Sequence, residues 1–229
     1  MAIAFFDLDR TLLAVNSASL WVRREFAEGN ITKWQALQAA SWLLRYKLGF
    51  GRLEDVLEGA VGKLAGVSDD ELRAKSTRFY QEQLRTQFRP RAREVLEQHR
   101  SAGDRLVMLT SSWGHLADLI AGELGMHAVL CNRFALDARG ILLGQLHGDI
   151  CYGEGKVVHA RRYAAQVGGT LEDAVFYTDS YSDLPVLHVV GRPVVVNPDG
   201  RLRREAVRRG WALEDWGQPG PGLVPVPAT

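Results

Sequence analysis

The chain has 229 residues, 46% of them hydrophobic and 24% charged, with a formal net charge of +1. That length suffices for one α/β core with an inserted subdomain, and the balance is that of a soluble globular protein. The near-neutral charge excludes a global pull toward nucleic acid, and no apolar run approaches the ~20 residues of a membrane span. The two cysteines, Cys131 and Cys151, match no metal spacing and no secreted disulfide framework. They are expected to be small core fillers in a protein of the reducing cytoplasm. The N-terminus reads as a strand carrying aspartates, not a signal peptide.

Ile3–Phe6 is a continuous apolar run, the pattern of a strand buried on both faces, and it ends in Asp7 and Asp9. A parallel strand delivers the residues after it to the carboxyl edge of the sheet, where such folds bind ligands. Two carboxylates there repel each other unless a cation lies between them, and hard oxygen ligands suit Mg2+. For a lone pair of this kind the alternative is a turn followed by a helix cap.

Helical patterning comes next. Ser17 or Ser19 is expected to cap a helix reaching about Glu28, stopped by Gly29 and Asn30. Thr32 opens a second ending at Gly49, Gly51 to Ala65 forms a third, and Ser68-Asp69-Asp70-Glu71 reads as a capping box opening a fourth to about Phe88. Four helices with no strand between them break a βαβ alternation. Residues 15–87 are therefore expected to be a helical cap domain inserted into a core made of residues 1–14 and 88–229.

Pro90 opens a helix ending at Gly103. Arg105 to Leu109 is a second buried strand, ending in Thr110-Ser111-Ser112, and a helix runs from about His115 to Leu124. Ala128 to Leu130 is a third strand. Arg133–Leu136 and Ile141–Leu146 flank Asp137-Ala138-Arg139-Gly140 as a hairpin near 132–147. Glu154 to Val167 is helical and carries Lys156 near its start. Ala174 to Thr178 is a fourth strand, followed by Asp179 and Asp183, and Pro193 to Val196 a fifth. Arg201 to Arg209 lie on a basic helix expected to be solvated, and residues 217–229 form a loose tail rich in Pro and Gly. The alternation after residue 90 predicts an α/β fold with a doubly wound, Rossmann-like parallel sheet.

Three strands thus end in polar residues, Asp7/Asp9, Thr110 and Asp179/Asp183, and Lys156 heads the helix between the last two groups. All converge on one edge of the sheet. On FFDLDRTL, VMLTSS, GEGKVV and YTDSYSDLP, in that order across nearly the whole chain, the sequence resembles the haloacid dehalogenase superfamily, subfamily IB, the branch that includes phosphoserine phosphatase. The insertion between the first two motifs also matches the cap domain of that branch.

Hydrolysis of a phosphate ester is mostly positioning and charge neutralisation. Asp7 is the expected nucleophile, forming an aspartyl-phosphate, and Asp9 the acid and then base. The resemblance implies the same two roles. Thr110 and the backbone amide of Ser111 would hold phosphoryl oxygens, and Lys156 would balance the phosphate and Asp7. Asp179 is the expected carboxylate ligand of Mg2+, with Asp183 orienting Asp179, a water or Lys156. The resemblance implies Asp7, Asp9 and Asp179 as the metal ligands, Asp9 through its backbone carbonyl.

The leaving group is less legible. Phosphoserine phosphatases carry a glutamate nine residues after the nucleophile, where this chain has Asn16. A neutral amide cannot balance an ammonium, which argues against phosphoserine itself. Asn16, Arg45 and Arg52 are candidate substrate contacts, with helix capping and a solvated face as their alternatives. Trp34, Leu37, Ser41, Leu44 and Leu48 follow helical spacing, joined by Trp42, Leu43 and Tyr46. This is either cap core or an apolar face toward a lipid or a partner. Trp21 and the six histidines are expected to serve packing or surface roles. The reading is a Mg2+-dependent phosphatase for a small phosphorylated metabolite; the resemblance implies an amino-alcohol phosphate of the phosphoserine or histidinol phosphate kind. Its rivals are phosphoryl transfer to an acceptor other than water, a lipid-phosphate phosphatase, and a catalytically silent phosphate-binding module.

Overall fold

The computed structural model describes residues 2–34 and 59–219. Ile3–Phe6 forms β1 at the centre of a seven-stranded sheet of order β4-β3-β2-β1-β5-β6-β7. The other strands are β2 (Arg105–Trp113), β3 (Ala128–Leu136), β4 (Leu142–His147), β5 (Val175–Thr178), β6 (Arg192–Val196) and β7 (Ala212–Glu214). All neighbours are parallel except β3 and β4. β1 lacks an alternating pattern because both its faces are covered: Ala4 and Phe6 face one core, Ile3 and Phe5 the other. Helices α3 (Pro90–Ser101) and α4 (Gly114–Glu123) pack into the first core. Helices α5 (Glu154–Gln166), α6 (Leu184–Leu187) and α7 (Gly200–Arg209) fill the second. The doubly wound sheet is thus as expected, with Cys131 and Cys151 both buried.

Several boundaries differ from the expectation. β2 runs on through Thr110, Ser111 and Ser112 to Trp113, with its register against β3 shifting after Leu109. Thr110 therefore stands inside an irregular strand end, not at a helix cap. β3 fuses the two short strands expected at 128–130 and 133–136. It starts parallel to β2 and ends antiparallel to β4, because the buried pair Cys131-Asn132 holds no Gly or Pro to break it. β7 was not foreseen.

Between β1 and α3 the described α-helices are α1 (Ser17–Ala27) and α2 (Asp69–Phe79). Asn16, not Ser17 or Ser19, caps α1, its side chain accepting the Ser19 amide at 2.9 Å. Ser68 makes no side-chain cap; its backbone instead bridges Ile141 of the hairpin. After α2 a wider turn, Tyr80–Leu84, ends the helical run short of Phe88. Phe88 is needed in a bridge to Leu13, where the chain leaving the core pairs with the chain returning to it. Arg45, Arg52 and most of the apolar helix face lie outside the described residues, and Trp34 is exposed.

The described parts of the chain between β1 and α3 rest on the core beside the carboxyl end of β2. Trp21 packs edge-on against Phe79 and Trp113 at 5.1 and 5.3 Å, and Trp113 Nε1 donates to Ser76 Oγ at 3.0 Å. His115 Nε2 and Asp69 Oδ1 lie 2.7 Å apart. The turn before α2 is stitched to the hairpin by Gly66 N–H to Leu142 O and Asp69 N–H to Gly140 O, both 2.9 Å. Among the described residues no helix is long and apolar enough to cross a membrane.

Candidate active site

The carboxyl ends of β1, β2 and β5 supply Asp7, Thr110 and Asp179. Asp7 extends the ladder beyond β1, its amide donating to Tyr177 O at 3.0 Å. The chain then turns sharply through Leu8–Leu12, with Arg10 in the left-handed region at φ 60°. For a residue with a Cβ that conformation costs about 1–2 kcal/mol, so surrounding structure must hold it.

Lys156 is one of the largest fully buried side chains of the protein. Its Nζ donates to Asp7 Oδ1 at 2.8 Å and to the Asp183 carboxylate at 2.9 Å. Burial works against its charge, but Asp183 and Asp7 outweigh that and push its pKa up, so it remains an ammonium. α5 presents Lys156 in its first turn because the chain before it folds tightly. A Cβ on Gly155 would stand 1.9 Å from the Ile150 carbonyl oxygen, so only glycine fits there. Asp183 also accepts the Thr178 hydroxyl at 2.6 Å. Of the partners expected for it, Lys156 is in hydrogen-bond contact.

Asp9 faces the start of α1. Its Oδ1 accepts the Ser17 amide at 2.8 Å, and its Oδ2 accepts the Ser17 hydroxyl at 3.0 Å and the Asn16 amide nitrogen at 3.4 Å. Both oxygens of the Asp9 carboxylate are thereby engaged by the start of α1. Burial pushes the Asp9 carboxyl upward despite the Ser17 bonds. Asp7 is pushed up to about 7 by burial, against the pull of Lys156, and Asp179 is raised by burial and by Asp7 and Asp183 beside it. The Thr11 hydroxyl accepts the Asp179 amide at 3.0 Å and lies 3.4 Å from Asp179 Oδ1.

Residues 4–188, which span all of these side chains, match the haloacid dehalogenase-like hydrolase family. The chain belongs to that family. This hydrolase is 34% identical over 223 residues to a phosphoserine phosphatase of Mycobacterium tuberculosis, covering 94% of this chain and 71% of that one. It is 28% identical over 215 residues to a histidinol-phosphatase of Neisseria meningitidis, covering 92% and 97%. A solved protein of unknown function from Bordetella pertussis superposes with a TM-score of 0.85 at 30% identity, over 94% and 98% of the two chains.

The donor set of the hydrolase fits Mg2+. Three carboxylates, Asp7, Asp179 and Asp183, are buried here with one buried ammonium, Lys156, which touches Asp7 and Asp183, and that excess of buried acidic groups suits a further cation. All the available ligands are hard oxygens. Among the described residues no three His, Cys, Asp or Glu side chains gather as a metal cluster. Mg2+ is commonly held by one or two carboxylates and keeps several waters.

At the other side of the site Thr110 is buried, and its Oγ1 accepts the Ser112 amide at 3.1 Å. The Ser111 carbonyl accepts the Asn132 side-chain amide at 2.7 Å, while Asn132 Oδ1 accepts the Cys151 amide at 2.8 Å. Asn132 thereby ties the end of β2 to the loop that leads to Lys156. The sequence reading did not single out Asn132, although a lone amide inside an apolar strand was a signal. It also missed Thr11 and Thr178, and it took Ser17 for a helix cap. Asn16, read as a substrate contact or a cap, is turned into the cap.

Proposed function

We propose that this hydrolase is a Mg2+-dependent phosphatase that cleaves a small organic phosphomonoester through an aspartyl-phosphate on Asp7. The observation that carries the reading is Lys156, a buried ammonium held at 2.8 Å by Asp7 and at 2.9 Å by Asp183. A lysine buried this way supports a site built to gather negative charge around Asp7.

Lys156 holds Oδ1 of Asp7 and so orients Oδ2 as the attacking atom. Oδ2 bonds to phosphorus as the ester oxygen leaves, and that oxygen takes the proton of Asp9. Asp9, now a carboxylate steadied by Ser17, draws a proton from water. The water oxygen attacks phosphorus, releasing phosphate and regenerating Asp7. Thr110 Oγ1 and the Ser111 amide bind phosphoryl oxygens. A Mg2+ ion held by Asp7, Asp179 and the Asp9 carbonyl would neutralise charge on the phosphoryl group.

The helical insertion, residues 15–87, serves as a cap that excludes water and selects the leaving group. The pairing of Leu12–Ala14 with Gln87–Arg89 supports those boundaries. The relatives support an amino-alcohol phosphate as substrate. Asn16 is a neutral amide that caps α1, so an ammonium on that substrate finds no counter-charge from it.

The test is phosphate release from a panel including phosphoserine and histidinol phosphate, with and without Mg2+, for the wild type and Asp7→Asn. Release that needs both Mg2+ and Asp7 is expected. A wild type that binds phosphate but releases none from any ester would replace the reading with a silent binding module.

A further inference from the structure

Arg89 is buried, yet among the described residues it forms no ion pair. Its guanidinium reaches two backbone carbonyls. Nε donates to Arg10 O at 2.9 Å and Nη1 donates to Gly217 O, while the Arg89 amide donates to Leu12 O at 2.9 Å. Three distant segments meet at this side chain: the turn after Asp7 and Asp9, the chain returning from the insertion, and the segment after β7.

Each contact falls where the fold needs one. Arg10 stands at φ 60°, a conformation that an L residue leaves unless its neighbours hold it. The segment after β7 is anchored as far as Gly217, and most of the stretch expected to be a loose tail lies outside the described residues. Trp216 is 1% exposed and packs on Tyr177 at 5.3 Å. The Trp216 amide donates to Asn197 Oδ1 and the Gly217 amide to Asp215 Oδ1, both at 2.8 Å. A planar fork with fixed donor directions spans both carbonyls, as an ammonium does not. Burial weakens the charge of Arg89, and the fields of Asp179 and Asp215 act to keep it.

We propose that Arg89 is a positioning residue for the hydrolysis: it clamps the left-handed turn at Arg10 onto the Trp216–Gly217 segment and thereby fixes the backbone that carries Asp7 and Asp9. The C-terminal end of the core becomes part of the catalytic apparatus without touching a reacting atom. This inference rests on the phosphatase reading for its effect on rate and on the geometry alone for the clamp.

The experiment compares the full-length wild type with Arg89→Gln and Arg89→Lys, using p-nitrophenyl phosphate and Mg2+. Amide hydrogen exchange over residues 8–14 and thermal unfolding are measured alongside. Displacement of the turn predicts a kcat about 100-fold lower in Arg89→Gln at a nearly unchanged KM. Arg89→Lys, which keeps the charge and one donor direction, recovers part of the rate. Exchange over residues 8–14 quickens in both variants while the rest of the sheet keeps its protection. Unchanged kcat and exchange in Arg89→Gln would overturn the proposal. So would a loss of activity explained by a lower unfolding temperature, with exchange faster throughout the core. A wild type without Mg2+-dependent turnover would sink the phosphatase reading and the rate effect with it. Exchange over residues 8–14 would still decide whether Arg89 clamps the turn.

Discussion

The hydroxyl of Thr11 accepts the backbone N–H of Asp179 at 3.0 Å, across 168 residues of chain. This bond ties the loop after β1 to the loop after β5, so two of the carboxylates proposed to hold Mg2+ move together. Thr11→Val keeps the shape and removes the acceptor. A buried N–H left without a partner costs about 1–3 kcal/mol, which urea unfolding of the metal-free protein should show. More Mg2+ should also be needed for half-maximal turnover. Unchanged stability would mean that Asp179 does not depend on Thr11.

Ser17→Ala tests how Asp9 is aimed. The variant keeps the amide bond to Asp9 at 2.8 Å and loses the hydroxyl bond at 3.0 Å. Asn16 still caps α1, so unfolding should lose only the buried hydroxyl bond to Asp9, about 1–2 kcal/mol. The turnover rate should fall about tenfold, as for other groups that orient a reacting side chain. Equal turnover would show that the hydroxyl is not needed.

Acidity provides an independent check. Asp7 rises from 3.8 to about 7 in the metal-free fold, mainly through burial, so the folded state holds a proton that the unfolded state has released. Folding is then favoured at low pH, and stability declines as pH rises from near 3.8 toward 7. Asp7→Asn removes that decline. With Mg2+ chelated, the variant should be more stable than wild type by ~1 kcal/mol or more at pH 8, with the gap closing toward pH 4. Added Mg2+ should raise the unfolding temperature of wild type much more than that of the variant. A gap that widens on acidification would contradict the burial account.

Lys156 and Asp183 should behave as one unit. Lys156→Met strands two buried carboxylates and should cost about 3–5 kcal/mol in urea unfolding. Asp183→Asn placed in that background should restore part of the loss, with a coupling of about 1 kcal/mol or more. Additive effects would show that the 2.9 Å contact carries no energy.

The legible parts of the fold were those with a strong local signature. β1 and its two aspartates stand out because a strand buried on both faces must be apolar throughout, which makes the change to Asp7 abrupt. Lys156 was legible only through the order of the surrounding motifs, since nothing local distinguishes it from a solvated helix lysine. The end of β2 was misjudged because Thr110, Ser111 and Ser112 look like a loop, whereas the shifted register against β3 keeps them extended. β7 has three residues, none of them buried, and no pattern to read. The roles of Thr11, Ser17, Asn132 and Arg89 come from partners far away in sequence or across a turn, and composition and spacing carry no record of such pairings.

The most direct test of the central claim is the mass of the protein when turnover is stopped by acid. The hydrolase is mixed with Mg2+ and its best phosphomonoester, quenched within a turnover and digested. The account predicts an added phosphoryl group on the peptide bearing Asp7, absent in Asp7→Asn and cleared when wild type is given time to hydrolyse it. An unmodified Asp7 peptide under rapid turnover, or a phosphoryl group on another residue, would contradict Asp7 as the nucleophile.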